Sequence, residues 1–231
     1  MVMAPARFFS WLAFLGFFCM ANSTQPMARC GDQPAPGVGW SKCDKTRKVM
    51  TGDNLAGAKM DWANLSATDL SDSNLSKALM FRANLTRTSL RNTNLQHADL
   101  TKAQGLRAVF DGANAQSANF SKSELNRSSF KGADLSNANF AKAELSRVML
   151  SDATLTNTKF QNANLSRANF MGSTLAGADV TGAYTYLMRV EGVDLSAVRG
   201  LTQSQLDISC GDDKTQLPSG LVNSTTWPCD D

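Results

Sequence analysis

From Leu55 onward, a large apolar residue recurs at every fifth position, with few interruptions, as far as residue 180. The small residue two positions before it is usually Ala, Ser or Thr. This spacing matches neither a helix of period 3.6 nor a long strand of period 2. It predicts a short extended piece followed by a turn, repeated many times. Such a chain winds into coils that bury little alone, so neighbouring coils must stack and share one core.

A second period of twenty residues lies over the first. The segment SELNR at 123–127 returns as AELSR at 143–147. When the large apolar positions are sorted by twenty, Phe and Met fall in two sets ten residues apart, and the two sets between them consist mostly of Leu and contain no Phe. The Phe and Met sets include Met60, Met80, Phe120, Phe140 and Phe160 on one side and Phe110, Phe130 and Phe170 on the other. This predicts four walls per turn around a narrow core, with the bulky residues on two opposite walls.

The repeat units ADLSN at 133–137, ANFAK at 138–142 and ANLSR at 163–167 carry a recognisable motif. Over about residues 53–200 the chain resembles the pentapeptide-repeat family, whose motif is A(D/N)LXX. The resemblance implies an all-β fold, a right-handed quadrilateral parallel β-helix with four pentapeptides per coil. With strands about 4.8 Å apart, about seven turns would give a rod about 35 Å long.

The sequence predicts four segments: a signal peptide at 1–28, an N-terminal disulfide-tied cap at 29–52, the β-helix at 53–200 and a C-terminal cap at 201–231. Arg7 precedes an apolar run at 8–21 that has the order of a secretory signal and is short for a membrane span. We therefore expect a periplasmic or secreted protein. The alternative is an uncleaved N-terminal segment that anchors the chain in a membrane.

Cysteines flank the repeat and are absent from it. After removal of the signal peptide, two remain before the repeat and two after it: Cys30, Cys43, Cys210 and Cys229. An even number in an exported chain suggests disulfides, and the long middle segment favours Cys30–Cys43 and Cys210–Cys229. Zinc ligation stays open as an alternative, although the spacings do not resemble CxxC pairs.

Several positions depart from the repeat. Gly105 and Ala115 replace large core residues, so we expect a local bulge or small void there, or else a ligand niche. The stretch 183–192 loses the five-residue period partway, which predicts a distorted last turn. Thr202 and Gln205 form a capping-box pattern, which predicts a short helix whose Leu206 covers the open core. At the other end, Trp40 is the expected apolar anchor of the cap.

Basic residues recur at outward positions with the twenty-residue period, so they are expected to line two adjoining walls. One row is Arg87, Arg107, Arg127, Arg147 and Arg167, and the row one wall back is Arg82, Lys102, Lys122 and Lys142. Two interpretations remain open. In the first, duplicated coils copied their arginines, and Glu124 and Glu144 pair with Arg127 and Arg147. In the second, the rows bind an anionic polymer, because a regular series of guanidinium groups suits repeated carboxylates, sulfates or phosphates.

In an exported protein, such a polymer would be a polysaccharide, a lipid headgroup surface or another envelope component. No aromatic residue interleaves with the arginine row, so we expect no specific nucleic-acid binding. The partner itself stays unknown from the sequence.

Other functions fit the sequence less well. The family includes cytoplasmic gyrase-binding members that mimic DNA with an acidic rod, whereas this chain carries 23 Lys and Arg against 20 Asp and Glu. Some long β-helices cleave acidic polysaccharides, but here only Glu124 and Glu144 recur as carboxylates beside the basic rows. We therefore expect a non-enzymatic structural or interaction module without cofactor, metal site or catalytic residues. The DNA-mimic binder of a topoisomerase and the polysaccharide-acting enzyme remain alternatives.

Overall fold

A twenty-residue coil is the repeating unit of the fold. The structure, a computed structural model, describes residues 29–227 and residue 229; the expected signal peptide at 1–28 lies outside them. In this part of the chain, one helix, α1, spans Gln203–Leu206, and the β structure consists of single-residue parallel bridges. From Gly39↔Lys59 to Asp179↔Arg199, each bridge joins residues twenty apart. The chain is therefore a solenoid with the predicted period.

Each coil bends at four tight turns, which divide it into four faces. In the turn Met60–Ala63, the Ala63 N–H donates to the Met60 carbonyl at 3.0 Å, and Trp62, the third residue, has φ 61°. A positive φ at the third residue alone, with this hydrogen bond, is the geometry of a type II turn. Lys and Arg occupy the same position in many turns, at φ between 55° and 62°. This left-handed conformation costs an L-residue about 1–2 kcal/mol.

Hydrogen bonds between coils offset that cost. The Trp62 N–H donates to Phe81 O at 2.8 Å, Leu65 N–H to Asn84 O at 2.8 Å, and Asn64 N–H reaches back to Cys43 O at 2.9 Å. The same three bonds recur through the stack, so the buried backbone polar groups are paired. The turn residue with positive φ thus donates a hydrogen bond to the next coil. The residues that follow it bond to both the next and the preceding coil.

Two phenylalanine columns fill the core. Phe110 and Phe130 stack with ring centroids 4.4 Å apart, and Phe120 and Phe140 stack at 4.6 Å. Across the core, Phe120 meets Phe130 edge to face at 5.7 Å and 90°. Stacking within a column and edge-to-face contact between columns are both favourable ring geometries. The prediction of two opposite Phe walls is confirmed.

The expected bulge at Gly105 and Ala115 is wrong, and so is the expected void at Gly105. The bridge Gln104↔Glu124 keeps the twenty-residue register, and a Cβ placed on Gly105 would lie 2.6 Å from Leu125 Cδ2. The leucine of the next coil therefore fills the space beside Gly105. Ala115 is also fully buried, and the bridge Asn114↔Asp134 beside it keeps the register. Neither position therefore forms a bulge.

The regular coil begins before the expected boundary at residue 53. Its turns recur from residue 36, and Gly39, Asp44 and Val49 each bridge to the next coil. About eight coils therefore precede the C-terminal cap, a rod of about 40 Å at the usual strand separation. The first coil was not recognised in the sequence because Lys45 occupies a position where most later coils carry leucine. Its ammonium group lies 3.9 Å from the centre of the Trp40 ring, which is fully buried and closes this end of the core.

At the other end, the expected distortion of the last turn is present, but only on the side toward the cap. Asn164↔Tyr184 and Asn169↔Arg189 keep the register with the preceding coil. Toward the cap, the spacing rises to 21 residues at Arg189↔Cys210 and to 22 at Asp194↔Gln216.

Thr185 departs from the leucine pattern because it attaches the cap. Its hydroxyl donates to Gln205 O at 2.8 Å. The Gln205 side chain donates in turn to Val180 O and Ala183 O at 3.0 and 2.8 Å.

Helix α1 closes the C-terminal end of the core. Thr202 and Gln205 form the predicted capping box, and Leu206 is fully buried in the core cluster. The structure joins Cys210 to Cys229 and Cys30 to Cys43, as the sequence predicts. Trp227 lies beside the first of these disulfides, where its indole N–H donates to Ser209 O at 2.7 Å. Among the described residues, no helix has the length and apolar character needed to cross a membrane.

Candidate functional site

The arginine column consists of Arg87, Arg107, Arg127, Arg147 and Arg167, and all five occupy the same place in successive coils. Each is the third residue of its turn, with φ between 55° and 59°. Each donates its backbone N–H to the next coil, for example Arg127 to Ser146 O at 2.9 Å and Arg147 to Ser166 O at 2.8 Å. All five side chains are exposed. The backbone therefore places one guanidinium-bearing residue at every coil along one corner of the rod.

The arginine column is free of ion pairs in the described part of the chain. The two ion pairs found there join Arg91 to Asp111 and Arg189 to Glu191, outside this column. The expected pairing of Glu124 with Arg127 and of Glu144 with Arg147 is wrong, because each glutamate lies in the middle of a face while the arginines lie at its corner. The Glu144 carboxylate instead accepts from the Asn164 amide at 2.9 Å. The guanidinium groups remain available to an anion from solution.

The lysine column comprises Arg82, Lys102, Lys122 and Lys142. Its members are also third residues of type II turns, and each precedes the arginine column by five residues in the same coil. Lys102 is half-buried and the others are exposed. Arg82, Lys102 and Lys122 line a shallow groove of about 440 Å³ together with Trp62, Gln104 and Glu124.

The two columns flank a single face, which we call face A. It is formed by the residues between them, such as 83–86 and 103–106. Down its middle run Asn84, Gln104, Glu124, Glu144 and Asn164, each bridged to the next. The expectation of two adjoining basic walls thus becomes more specific: one polar wall carries a basic column at each of its two long edges.

The corner that follows the arginine column by five residues in each coil does not carry basic side chains. Its turn positions are filled by Asp72, Asn92, Gly112, Gly132, Asp152 and Gly172. Here the Asn92 amide donates to the Asp72 carboxylate at 3.1 Å, so these two side chains are hydrogen-bonded to each other. The basic columns are therefore not a general property of the turn position but a property of face A.

Sequence reasoning missed two contributors to this site. Arg47 extends the arginine column toward the N-terminus, and with Arg87 and Arg107 it lines a groove of about 520 Å³ along that corner. Trp62 lies one coil before Arg82 in the lysine column and is 50% exposed. The arginine column carries no aromatic side chain, but the lysine column does. Extending the twenty-residue register one coil back from Arg82 would have found Trp62.

Elsewhere, the described residues contain no group of three or more His, Cys, Asp or Glu side chains that could hold a metal ion. Their four cysteines are joined as disulfides. The candidate site is therefore face A and its two basic columns.

Two pentapeptide-repeat family models match the chain. "Pentapeptide repeats (8 copies)" matches residues 54–96, and "Pentapeptide repeat region" matches 106–180 and 123–198. The chain belongs to the pentapeptide repeat family. Among curated proteins, none matches the chain.

Several solved structures resemble the chain at low identity. HetL, a pentapeptide repeat protein involved in heterocyst differentiation regulation in the cyanobacterium Nostoc sp. strain PCC 7120, is 24% identical, with 80% of this chain and 94% of HetL covered and a TM-score of 0.34. QnrB1, a plasmid-mediated fluoroquinolone resistance protein, is 19% identical, with 78% and 90% covered and a TM-score of 0.41. A pentapeptide repeat protein of the Arabidopsis thaliana thylakoid lumen is 25% identical, with 50% and 66% covered and a TM-score of 0.32.

Proposed function

We propose that this chain is an exported, non-enzymatic interaction module, a right-handed quadrilateral β-helix that binds an anionic polymer along face A. The observation that carries the proposal is the arginine column: five exposed guanidinium-bearing residues in five successive coils, with no carboxylate partner among the described residues. Guanidinium charges on neighbouring coils, about 4.8 Å apart, repel each other by less than about 1 kcal/mol in water. A polymer with one anion per repeat would remove this repulsion and release counterions.

The two disulfides support export. Disulfides form and persist in the periplasm and outside the cell and are rare in the cytosol. Both tie an end of the solenoid, where core and strand edges would otherwise be open. The apolar run at 8–21 is consistent with a signal peptide that directs the chain there.

Charge also argues against mimicry of DNA. A rod that mimics DNA must present dense negative charge, whereas this chain has a formal net charge of +3 and carries its regular charged columns as Arg and Lys. The topoisomerase-binding alternative would need another, acidic face.

Retention on immobilised heparin across a salt series tests the proposal. The test variant R107N/R127N/R147N should fold, because Asn already occupies the same turn position at Asn137, Asn157 and Asn162. The matched control K77N/K131S/K159N removes three charges from the other faces and corners, and each replacement already occurs in the same column, at Asn137, Ser151 and Asn139.

The test variant should elute at clearly lower salt than the wild type, and the control close to it. Equal elution of the wild type and the test variant would refute binding by the arginine column. The polymer should also keep its length during incubation with the protein. Shortened chains would contradict the non-enzymatic proposal and favour a polysaccharide-acting enzyme with Glu124 and Glu144 as its carboxylates.

A further inference from the structure

An exposed aromatic cluster stands at the N-terminal end of face A. Trp62 is 50% exposed at the corner, and its ring meets Phe81 edge to face at 6.0 Å. The Arg82 guanidinium lies 4.5 Å from the centre of the indole ring, and the Lys102 ammonium lies 5.7 Å from the Phe81 ring. These contacts hold the indole within the lysine column while leaving half of its surface to solvent.

A second aromatic pair stands toward the other end of the same face. Tyr184 and Tyr186 are 53% and 43% exposed, and their rings are nearly parallel, 6.3 Å apart at 14°. Tyr184 bridges to Asn164 and so continues the middle of face A. Tyr186 lies next to the arginine column, since its carbonyl accepts the Arg167 N–H at 2.8 Å. Six coils separate the two aromatic groups, a distance of about 29 Å at the usual strand spacing.

The middle of face A suits a ligand with hydroxyl groups. Gln104, Glu124, Glu144 and Asn164 present carboxylate and amide groups between the two basic columns. Carboxylates only accept hydrogen bonds when ionised. They repel a polyanion that has no donors, such as polyphosphate, but they accept from sugar hydroxyls. A purely phosphate-binding surface would not place Glu124 within the groove lined by Lys102 and Lys122.

We propose that the ligand of face A is an acidic polysaccharide, a chain of pyranose sugars that bears carboxylates or sulfates. This inference rests on the proposed function and narrows its ligand class. A sugar ring stacks on the exposed surface of Trp62, and further rings reach the Tyr184–Tyr186 pair. The hydroxyls bond to the middle of the face, and the acidic groups bind the arginine and lysine columns. In an extended pyranose chain, the length per sugar is about the distance between neighbouring coils, so successive acidic groups match successive basic residues. One strand of duplex DNA instead presents a phosphate about every 3.4 Å.

Two probes separate this inference from simple anion binding: polygalacturonate, which has sugar rings and carboxylates, and inorganic polyphosphate, which has charge alone. The test variant W62A should fold, because Ala67 already occupies the equivalent turn position at φ 55°. The control L79A removes another exposed apolar side chain, 41% exposed, from a different face.

W62A should weaken polygalacturonate binding about tenfold, a loss of about 1.4 kcal/mol, and change polyphosphate binding less than about twofold, because stacking contributes only where there is a ring. W62Y should recover most of the affinity, and L79A should bind like the wild type. Tryptophan fluorescence should respond to polygalacturonate but not to polyphosphate, and this response should be lost in W62A, since Trp62 is exposed, Trp40 is fully buried and Trp227 lies in the C-terminal cap.

Unchanged polygalacturonate binding by W62A would overturn the inference, and so would an equal loss for both probes, which would mean that Trp62 acts only by positioning Arg82. Tighter binding of a single-stranded oligonucleotide than of polygalacturonate would also overturn it. If W62A has no effect while R107N/R127N/R147N loses both probes, the inference fails and the proposed function stands. If neither variant matters, both fail.

Discussion

Gly105 and Leu125 share one volume in the core: a Cβ on Gly105 would lie 2.6 Å from Leu125 Cδ2. G105A should therefore destabilise the protein by about 1–3 kcal/mol through overpacking. L125A alone should cost about 2–5 kcal/mol because it opens a cavity. In the double variant the added methyl group enters that cavity, so the two costs should not add. Thermal unfolding of the four proteins measures this coupling, and simple additivity would show that the two side chains do not share space.

The phenylalanine columns should carry much of the stability of the middle coils. Phe130 stacks on Phe110 at 4.4 Å and meets both Phe120 and Phe140 edge to face at 5.7 Å. F130A should cost about 3–5 kcal/mol, and F130L much less because most of the volume is kept. The exposed-site variant L79A is the control and should unfold like the wild type. A loss for F130A no larger than for L79A would mean that the Phe columns do not hold the core.

The C-terminal disulfide should hold the cap closed. It links residues 19 apart in the chain, and a closed loop of that size is worth about 3 kcal/mol in the chain-entropy model. In C210S/C229S we expect a lower unfolding temperature and faster amide exchange in the last coil, because the segment that places Trp227 over Gly211 loses its covalent link to the solenoid. Exchange in the middle coils should stay unchanged. Uniformly faster exchange along the whole rod would contradict a local capping role.

Acid should weaken the solenoid through its aspartates. The hydroxyl of Ser71 holds the pKa of Asp69 below its ordinary value of 3.8, and the hydroxyl of Thr181 does the same for the pKa of Asp179. A carboxyl group with a depressed pKa in the folded state contributes stability that is present above its unfolded pKa, about 4. That contribution disappears as the pH falls through the folded pKa.

The unfolding temperature should therefore be nearly flat from pH 7 to 5 and fall below about pH 4. D69N should fold, since Asn64 accepts the equivalent turn hydrogen bond from Ser66 at 3.3 Å, and it should show a shallower fall in acid. An acid transition that is unchanged in D69N and D179N would exclude these turns as its cause.

Much of the architecture follows from the sequence because each repeat position has one physical role. The fifth-position series identified the core, and the identities of Phe and Leu identified opposite walls. The five-residue pattern did not predict positions whose identity depends on a contact with another coil or with the cap. Leu125 fills the space beside Gly105, and Thr185 replaces a core leucine and donates a hydrogen bond to Gln205 O. Lys45 hid the first coil for a similar reason, since its ammonium lies against Trp40.

The candidate site was predictable in part. The columns of arginine and lysine follow from the twenty-residue period, because residues one coil apart become vertical neighbours. Periodicity alone could not tell that Glu124 and Glu144 stay in the middle of face A instead of pairing with the arginines. It could also not show that Arg82 and Phe81 hold Trp62 in place, since these contacts depend on side-chain direction between coils.

The salt dependence of polygalacturonate binding tests the central claim most directly. For the wild type and the two triple variants, the logarithm of the binding constant is measured against the logarithm of salt concentration. Each lost contact between a cation and the polymer lowers the slope by somewhat less than one. R107N/R127N/R147N should therefore have a slope smaller by about two and a much lower affinity at low salt, with K77N/K131S/K159N close to the wild type. Equal slopes and affinities for the two triple variants would mean that the polymer responds to total charge, and that the arginine column is not its binding site.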